Sequence, residues 1–294
     1  MLDILKYSPL ELRKHQGQCT PQGPSFERTR VAQVLLPGGT LQFRAPRHAP
    51  KREFRTEQIS LVPGRSYDLS CAMRCSDLWM PSRSWKFESI CSRSWAFYGP
   101  WFTGYKGNVD FSMELLGTSK ENPDINFLYP AALETAVQGY ITAYSGHEVY
   151  DERKQTPYLR APVEWTPITT LPLPAVQFNV EEITAYSRHI RYVIFPVAQD
   201  TLVALYFAYG QACVGDWAEK DAKINPAPFR QLVENIIASI RFTPTTEFQR
   251  EIDEAKAACH AEYTVPRHCQ PFHWPADVDK DGLTLLEYKP DRYK

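Results

Sequence analysis

Phe229-Arg230-Gln231-Leu232-Val233-Glu234-Asn235-Ile236-Ile237-Ala238-Ser239-Ile240-Arg241-Phe242 puts Phe229, Leu232, Val233, Ile236, Ile237 and Ile240 at the spacing of one helix face. The stretch predicts an amphipathic helix laid on something apolar. Immediately upstream, Tyr192 to Val197 and Thr201 to Tyr209 are β-rich runs on either side of Ala198-Gln199-Asp200, the pattern of a hairpin. Strand, tight turn, strand and covering helix is therefore the expected close of the core.

Further upstream, Tyr129-Pro130 opens a second helical pattern. Leu133, Ala136, Val137, Tyr140, Ile141 and Tyr144 share a face, and Gly146 is a stop. Its spacing matches that of the closing helix, and a proline precedes each, so both are expected to cover a sheet in the same way. Val109 to Leu116 and Val176 to Val180 read as strands, while the five prolines between Pro157 and Pro174 predict an extended connection or edge segment. Near the N-terminus, Pro37-Gly38-Gly39 separates a strand-like run from Val31 and the segment Thr40 to Phe43, which predicts a hairpin. Ser8-Pro9-Leu10-Glu11 carries the signature of a short helix start, and residues 16–30 read as a polar arm outside the core.

Residues 79–105 are dense in aromatic side chains. Ser82-Arg83-Ser84-Trp85 recurs as Ser92-Arg93-Ser94-Trp95, each followed two residues later by phenylalanine, which predicts two aromatic-faced strands. Large aromatics fill cores, yet tryptophan and arginine also dominate interface hot spots. If the tryptophans face inward, Arg83 and Arg93 point outward; if they face out, an apolar patch is exposed. Either reading makes Trp79, Arg83, Trp85, Arg93 and Trp101 the expected partner-binding set.

At the other end, Thr246 with Gln249 signals a helix whose narrow apolar stripe is Phe248, Ile252, Ala255, Cys259 and Tyr263, and the tail from Pro266 is irregular. The expected fold class is α+β: an antiparallel β-sheet flanked by helices, with an aromatic β-rich insertion at about 47–107 and an extra C-terminal helix plus tail. The expected organisation is an arm over residues 1–30, a core over 31–245 and the helix with its tail over 246–294.

The chain has 294 residues, 43% of them hydrophobic and 13% aromatic, enough for a sizeable core. Its 33 basic and 34 acidic side chains leave a net charge of −1, which gives no global attraction to nucleic acid or an anionic membrane. Met1 to Arg30 shows no apolar run of a secretory signal, and no stretch approaches the roughly eighteen apolar residues of a membrane span. Seven cysteines fit a reducing compartment better than a disulfide framework, so a cytoplasmic location is expected.

Taken in order, Gly39 to Pro46, the strand Val109 to Leu116, the helix after Pro130, Ala175-Val176-Gln177-Phe178, the hairpin and the ending Ile236-Ile237-Ala238-Ser239-Ile240-Arg241-Phe242 resemble the PsbP/DcrB-like superfamily. The resemblance covers about half the chain and implies an antiparallel sheet flanked by helices, without a shared catalytic centre. By looser analogy the chain is similar to bacterial immunity proteins, which neutralise toxins delivered by neighbouring cells, for example through type VI secretion.

The tail carries Asp277, Asp279, Asp281 and Gly282 at the spacing that opens a calcium loop, but Glu287 falls one residue early for the closing bidentate ligand. The competing reading is a polar turn at Asp281-Gly282 leading into a short strand. Cys259, His260, His268, Cys269 and His273 form a Cys/His cluster with no standard zinc spacing. His147 and His189 read as surface or structural residues, and Cys71 and Cys75 as unrelated thiols. No Gly-x-Ser-x-Gly elbow, Walker loop, dinucleotide fingerprint or His-Glu-x-x-His is present. The expectation is a non-catalytic protein without a cofactor, binding a cognate protein toxin. The alternative is a metal-dependent hydrolase or metal-regulated protein using the C-terminal Asp, Cys and His groups. A nucleic-acid reading through Arg83, Arg93 and the tryptophans is disfavoured by the charge balance.

Overall fold

The hairpin is buried on both faces, which explains its nearly unbroken apolar sequence. Val193, Phe195, Val203, Leu205 and Phe207 enter one core, and Ile190, Tyr192, Ile194, Leu202, Ala204 and Ala208 enter a second. The computed structural model describes residues 6–51, 58–70, 73–74, 85–118, 126–145, 149–151, 156–157, 159–182, 188–259 and 262–269. In these the strands are β1 (Val31–Leu36), β2 (Gly39–Arg44), β3 (Met73–Arg74), β4 (Trp85–Tyr98), β5 (Tyr105–Thr118), β6 (Val149–Asp151), β7 (Thr156–Pro157), β8 (Leu159–Pro167), β9 (Val176–Glu182), β10 (His189–Pro196), β11 (Thr201–Gln211) and β12 (Arg241–Pro244). The helices are α1 (Pro130–Ser145), α2 (Trp217–Lys223), α3 (Ala227–Ala238) and α4 (Thr246–Ala258).

A seven-stranded antiparallel sheet runs in the order β3-β4-β5-β11-β10-β9-β8, and a three-stranded sheet in the order β1-β2-β12. The fold is α+β, as the sequence pattern predicts. The two amphipathic helices differ from expectation in one respect: they cover opposite faces of the large sheet. Leu133, Val137, Tyr140 and Ile141 of α1 pack with Trp85, Phe178 and Tyr192, whereas Phe229, Leu232, Val233 and Ile236 of α3 pack with Phe97, Phe111 and the small sheet.

The decisive stretch is helical only to Ala238. Ser239 N donates to the Asn235 and Ile236 carbonyls, and its hydroxyl accepts from Arg44 N at 2.9 Å, which fixes the helix end beside β2. Beyond it Phe242 alternates inward on β12, with its ring 6.0 Å from Phe195 and 6.2 Å from Phe248. Thr245 rather than Thr246 caps α4, its hydroxyl accepting from Phe248 N at 3.2 Å. Phe248, Ile252 and Ala255 of the helix's apolar stripe belong to the main core. A Cβ at Gly38 would lie 2.4 Å from the Val197 carbonyl and 2.5 Å from the Phe248 ring, so only glycine lets the β1–β2 turn seat here.

The aromatic segment also departs from expectation. The second copy of the repeat lies on the same strand as Trp85, and that strand is integral to the large sheet rather than appended to it. Ten residues separate Trp85 from Trp95, an even number that should leave them on one face. An irregularity between Ser89 and Cys91 shifts the register, so Trp85 faces the α1 core and Trp95 the α3 core. At the N-terminus, Ser8 to Glu11 is not helical; Glu11 instead bridges to Thr103, and the arm reaches the core through the buried Cys19.

Candidate functional site

The β4–β5 hairpin turns through residues 99–104, and there the backbone is forced. Trp101 and Phe102 hold φ of 53° and 65° in succession, a left-handed conformation that bulky side chains rarely adopt and that costs on the order of 1–3 kcal/mol each. The arm holds them there. Trp101 N donates to the Lys6 carbonyl, Arg13 Nε donates to the Trp101 carbonyl at 2.5 Å, and the Phe102 carbonyl accepts from Leu12 N at 2.8 Å and Arg13 N at 3.3 Å. Gly99 N donates to the Gly104 carbonyl at 2.8 Å and closes the turn. Gly104 has φ of 72°, and a Cβ there would lie 2.7 Å from that of Glu11.

The result is an outward-facing indole. Trp101 is 46% exposed, with Leu10 at 56% and Leu12 at 74% on the arm beside it. Lys6 Nζ is 5.8 Å from the Trp101 ring, and along the same end of the hairpin Lys51 Nζ is 5.0 Å from the Tyr105 ring and Lys106 lies against Gly99, with the acids Glu11 against Gly104 and Asp110 by Tyr105. Arg13 is bonded to the loop itself, and Glu11 is the only acid between residues 6 and 22. An exposed aromatic with aliphatic neighbours and a basic rim has the composition of an interface centre.

Of the rest of the expected contact set, Trp85 and Arg93 lie elsewhere. Trp85 is buried with its ring 5.6 Å from Tyr140, so it is core. Arg93 does not point outward. It lies on the α3 side and donates to the Ala45 and Pro46 carbonyls at 3.1 Å and 2.9 Å, fastening the segment after β2. Burial holds its guanidinium below the usual arginine range. Arg93→Ala is expected to lower stability by about 2 kcal/mol through the loss of these charge-assisted bonds, measured by urea unfolding. Trp79, Arg83, Asp277, Asp279, Asp281, Glu287, His260, His273, Cys71, Cys75 and His147 lie outside the described residues. Among the described residues no group of three or more His, Cys, Asp or Glu is placed to hold a metal. Cys269 accepts from Gln138 Nε2 at 3.2 Å, and Cys259 caps α4.

His189 is the group whose setting the sequence reading did not anticipate. It opens β10 opposite Tyr209, and its ring stacks on Tyr209 at 4.8 Å while Trp217 closes on it at 4.0 Å. Its Nε2 is buried without a hydrogen-bond partner. Nearby, Gln211 Nε2 donates to Asp221 Oδ1 at 2.5 Å and to the Ile224 carbonyl at 3.2 Å, which leaves its buried Oε1 without a partner. Lys220 is buried over the Trp217 ring at 5.2 Å. The helix that supplies Trp217, Lys220 and Asp221 had a signal: Asp216 and Glu219 form a capping box, with Asp216 Oδ1 accepting from Glu219 N at 2.9 Å and Glu219 Oε2 from Asp216 N at 3.2 Å.

Burial pushes the His189 imidazole down to about 4, Asp221 opposing and Arg230, Lys220 and Arg191 adding to the shift. With the folded value below the unfolded one near 6.5, the unfolded chain binds more protons between the two. Stability from this group is complete above about pH 6.5, falls as the pH drops toward 4 and changes no further below. Ring stacking and partial exposure reduce the effect to about 2 kcal/mol. The Glu114 carboxyl, raised by burial, works in the opposite direction. The His189 step is therefore read as the difference between wild type and His189→Phe in urea unfolding at pH 7 and pH 4.5; equal pH dependence in both contradicts it.

No helix among the described residues is long and apolar enough to cross a membrane. No family model and no curated protein matches the chain. Among solved structures, the chain is similar to the crystal structure of LpqN, involved in cell envelope biogenesis of Mycobacterium tuberculosis, at 10% identity and a TM-score of 0.28, over 74% of this chain and 92% of that one.

Proposed function

We propose that this is a non-catalytic protein-binding protein that docks its partner on the β4–β5 hairpin tip, and that the partner is a protein toxin which it neutralises in the cytoplasm as an immunity protein. The observation that supports docking at this place is Trp101. The chain spends backbone strain at two consecutive bulky residues, and bonds from Lys6, Leu12 and Arg13 hold the indole in solvent instead of letting it fold inward. Trp101 belongs to the contact set expected from the sequence, and Leu10 and Leu12 extend the set onto the arm. The PsbP/DcrB-like resemblance belongs to the same proposal, as a scaffold that presents a binding surface.

The basic rim gives the docking face a sign. Lys6, Arg13, Lys51 and Lys106 would steer an acidic surface toward Trp101, raising association rate and salt dependence more than final affinity. The experiment is co-expression with the toxin encoded beside the gene. Co-elution of the two proteins, together with survival of cells that express both, is the expected result. Independent elution and no protection overturn the proposal.

A further inference from the structure

We infer that protonation of His189 loosens α2 and frees the arm around Cys19, so that acid leaves the docking half of the arm held by its bonds to the hairpin alone. This regulation rests on the docking reading for its consequence, but not for its mechanism. Trp217 at the start of α2 is one wall of the imidazole's slot, and the far end of the same helix holds the arm. Cys19 N donates to the Lys223 carbonyl at 2.8 Å, Asn225 N donates to the Cys19 carbonyl at 2.8 Å, and Gln18 Nε2 donates to the Asp221 carbonyl at 2.6 Å. Upstream of these bonds the arm carries Lys6, Leu10, Leu12 and Arg13 to the hairpin tip. A change that tilts α2 therefore reaches the arm through two hydrogen bonds from the helix itself and one from Asn225 just past its C-cap.

A proton on the slot has nowhere to be satisfied. Nε2 has no acceptor, and an imidazolium there meets Lys220 from α2, Arg230 from α3 and Arg191 from its own strand. Against them stand Asp221 from α2, whose Oδ1 already accepts from Gln211, Glu181 paired across on β9, and Glu234 beyond Tyr209 on α3. The faces of Tyr209 and Trp217 attract a cation but do not accept its N–H in the ring plane. Turning α2 outward rehydrates the ring, so each proton taken up favours the opened arrangement. The opening equilibrium is coupled to pH between the open-state and closed-state values of the imidazole.

The test is the protection of the Cys19 thiol, buried in the closed form. Full-length protein is labelled with 4,4′-dithiodipyridine at pH 7 and at pH 4.5, the Cys19 peptide is quantified by mass spectrometry, and each rate is divided by that of denatured protein at the same pH. Far-UV circular dichroism of the same samples follows global unfolding. The expected result is a fall in Cys19 protection of at least about tenfold in wild type, before any loss of ellipticity, and no fall in His189→Phe, whose ring fills the slot without titrating. Should His189→Phe not fold at pH 7, His189→Gln is the same control. Unchanged protection in wild type, an equal fall in the variant, or a fall only alongside lost ellipticity each overturns the inference. No partner enters the measurement, so failure of the toxin proposal leaves the outcome unaffected.

Discussion

Trp95→Ala is expected to lower the free energy of unfolding by about 4 kcal/mol, a larger effect than that of Arg93→Ala or His189 protonation. The indole is fully buried, lies 6.2 Å from the Phe111 ring in a stacked arrangement, and donates through Nε1 to the Pro46 and Arg47 carbonyls at 3.2 Å and 2.9 Å. Truncation removes the apolar contact and opens a cavity between the two sheets. It also deprives two carbonyls of their donor in the segment that Arg93 fastens. Equilibrium urea unfolding reads the loss as a shift in midpoint. A loss below about 1 kcal/mol would mean that the α3 core re-closes around the gap, contrary to the packing described.

How far the sequence carried depends on whether local pattern or tertiary context decided each element. The hairpin at β10 and β11, both amphipathic helices and the β1–β2 turn were legible, because apolar periodicity and glycine chemistry act within a few residues. The irregularity at Ser89 to Cys91 was not. One shifted residue turns Trp85 and Trp95 to opposite faces, and nothing in the repeated Ser-Arg-Ser-Trp motif announces it. The end of α3 differs from its apolar pattern for a related reason. Ile240 and Phe242 continue an apolar pattern that fits a helix or a strand, and the partner that decides for strand is β2, about two hundred positions away in sequence.

The candidate site was legible in one residue. Trp101 stood in the expected contact set, but the arm that displays it was read as a helix start followed by polar chain. Its bonds to residues 101–103 join segments about ninety positions apart, which a local reading does not reach. His189 was read as a surface or structural residue because it stands at a strand end. Its burial comes from Trp217 on a short helix whose signal in the sequence is the capping box of Asp216 with Glu219.

The second large effect separates docking from folding at Trp101. With φ of 53°, the position suits glycine better than tryptophan, so Trp101→Gly relieves strain while losing some entropy from a more flexible unfolded chain. Stability is expected to stay within about 1 kcal/mol of wild type. Binding is expected to weaken by about 100-fold, the loss typical of a central aromatic anchor. Leu12→Ala on the neighbouring arm is expected to have a smaller effect, since its contacts lie beside the anchor and not at it.

The most direct measurement is a calorimetric titration of wild-type and Trp101→Gly protein with the proposed partner, a candidate toxin taken from the reading frame beside the gene, at one salt concentration and with unfolding midpoints taken on the same preparations. Tight binding by wild type, an approximately 100-fold rise in Kd for Trp101→Gly and matching midpoints are the expected results. Equal affinity in the two proteins would contradict the assignment of the hairpin tip as the docking site.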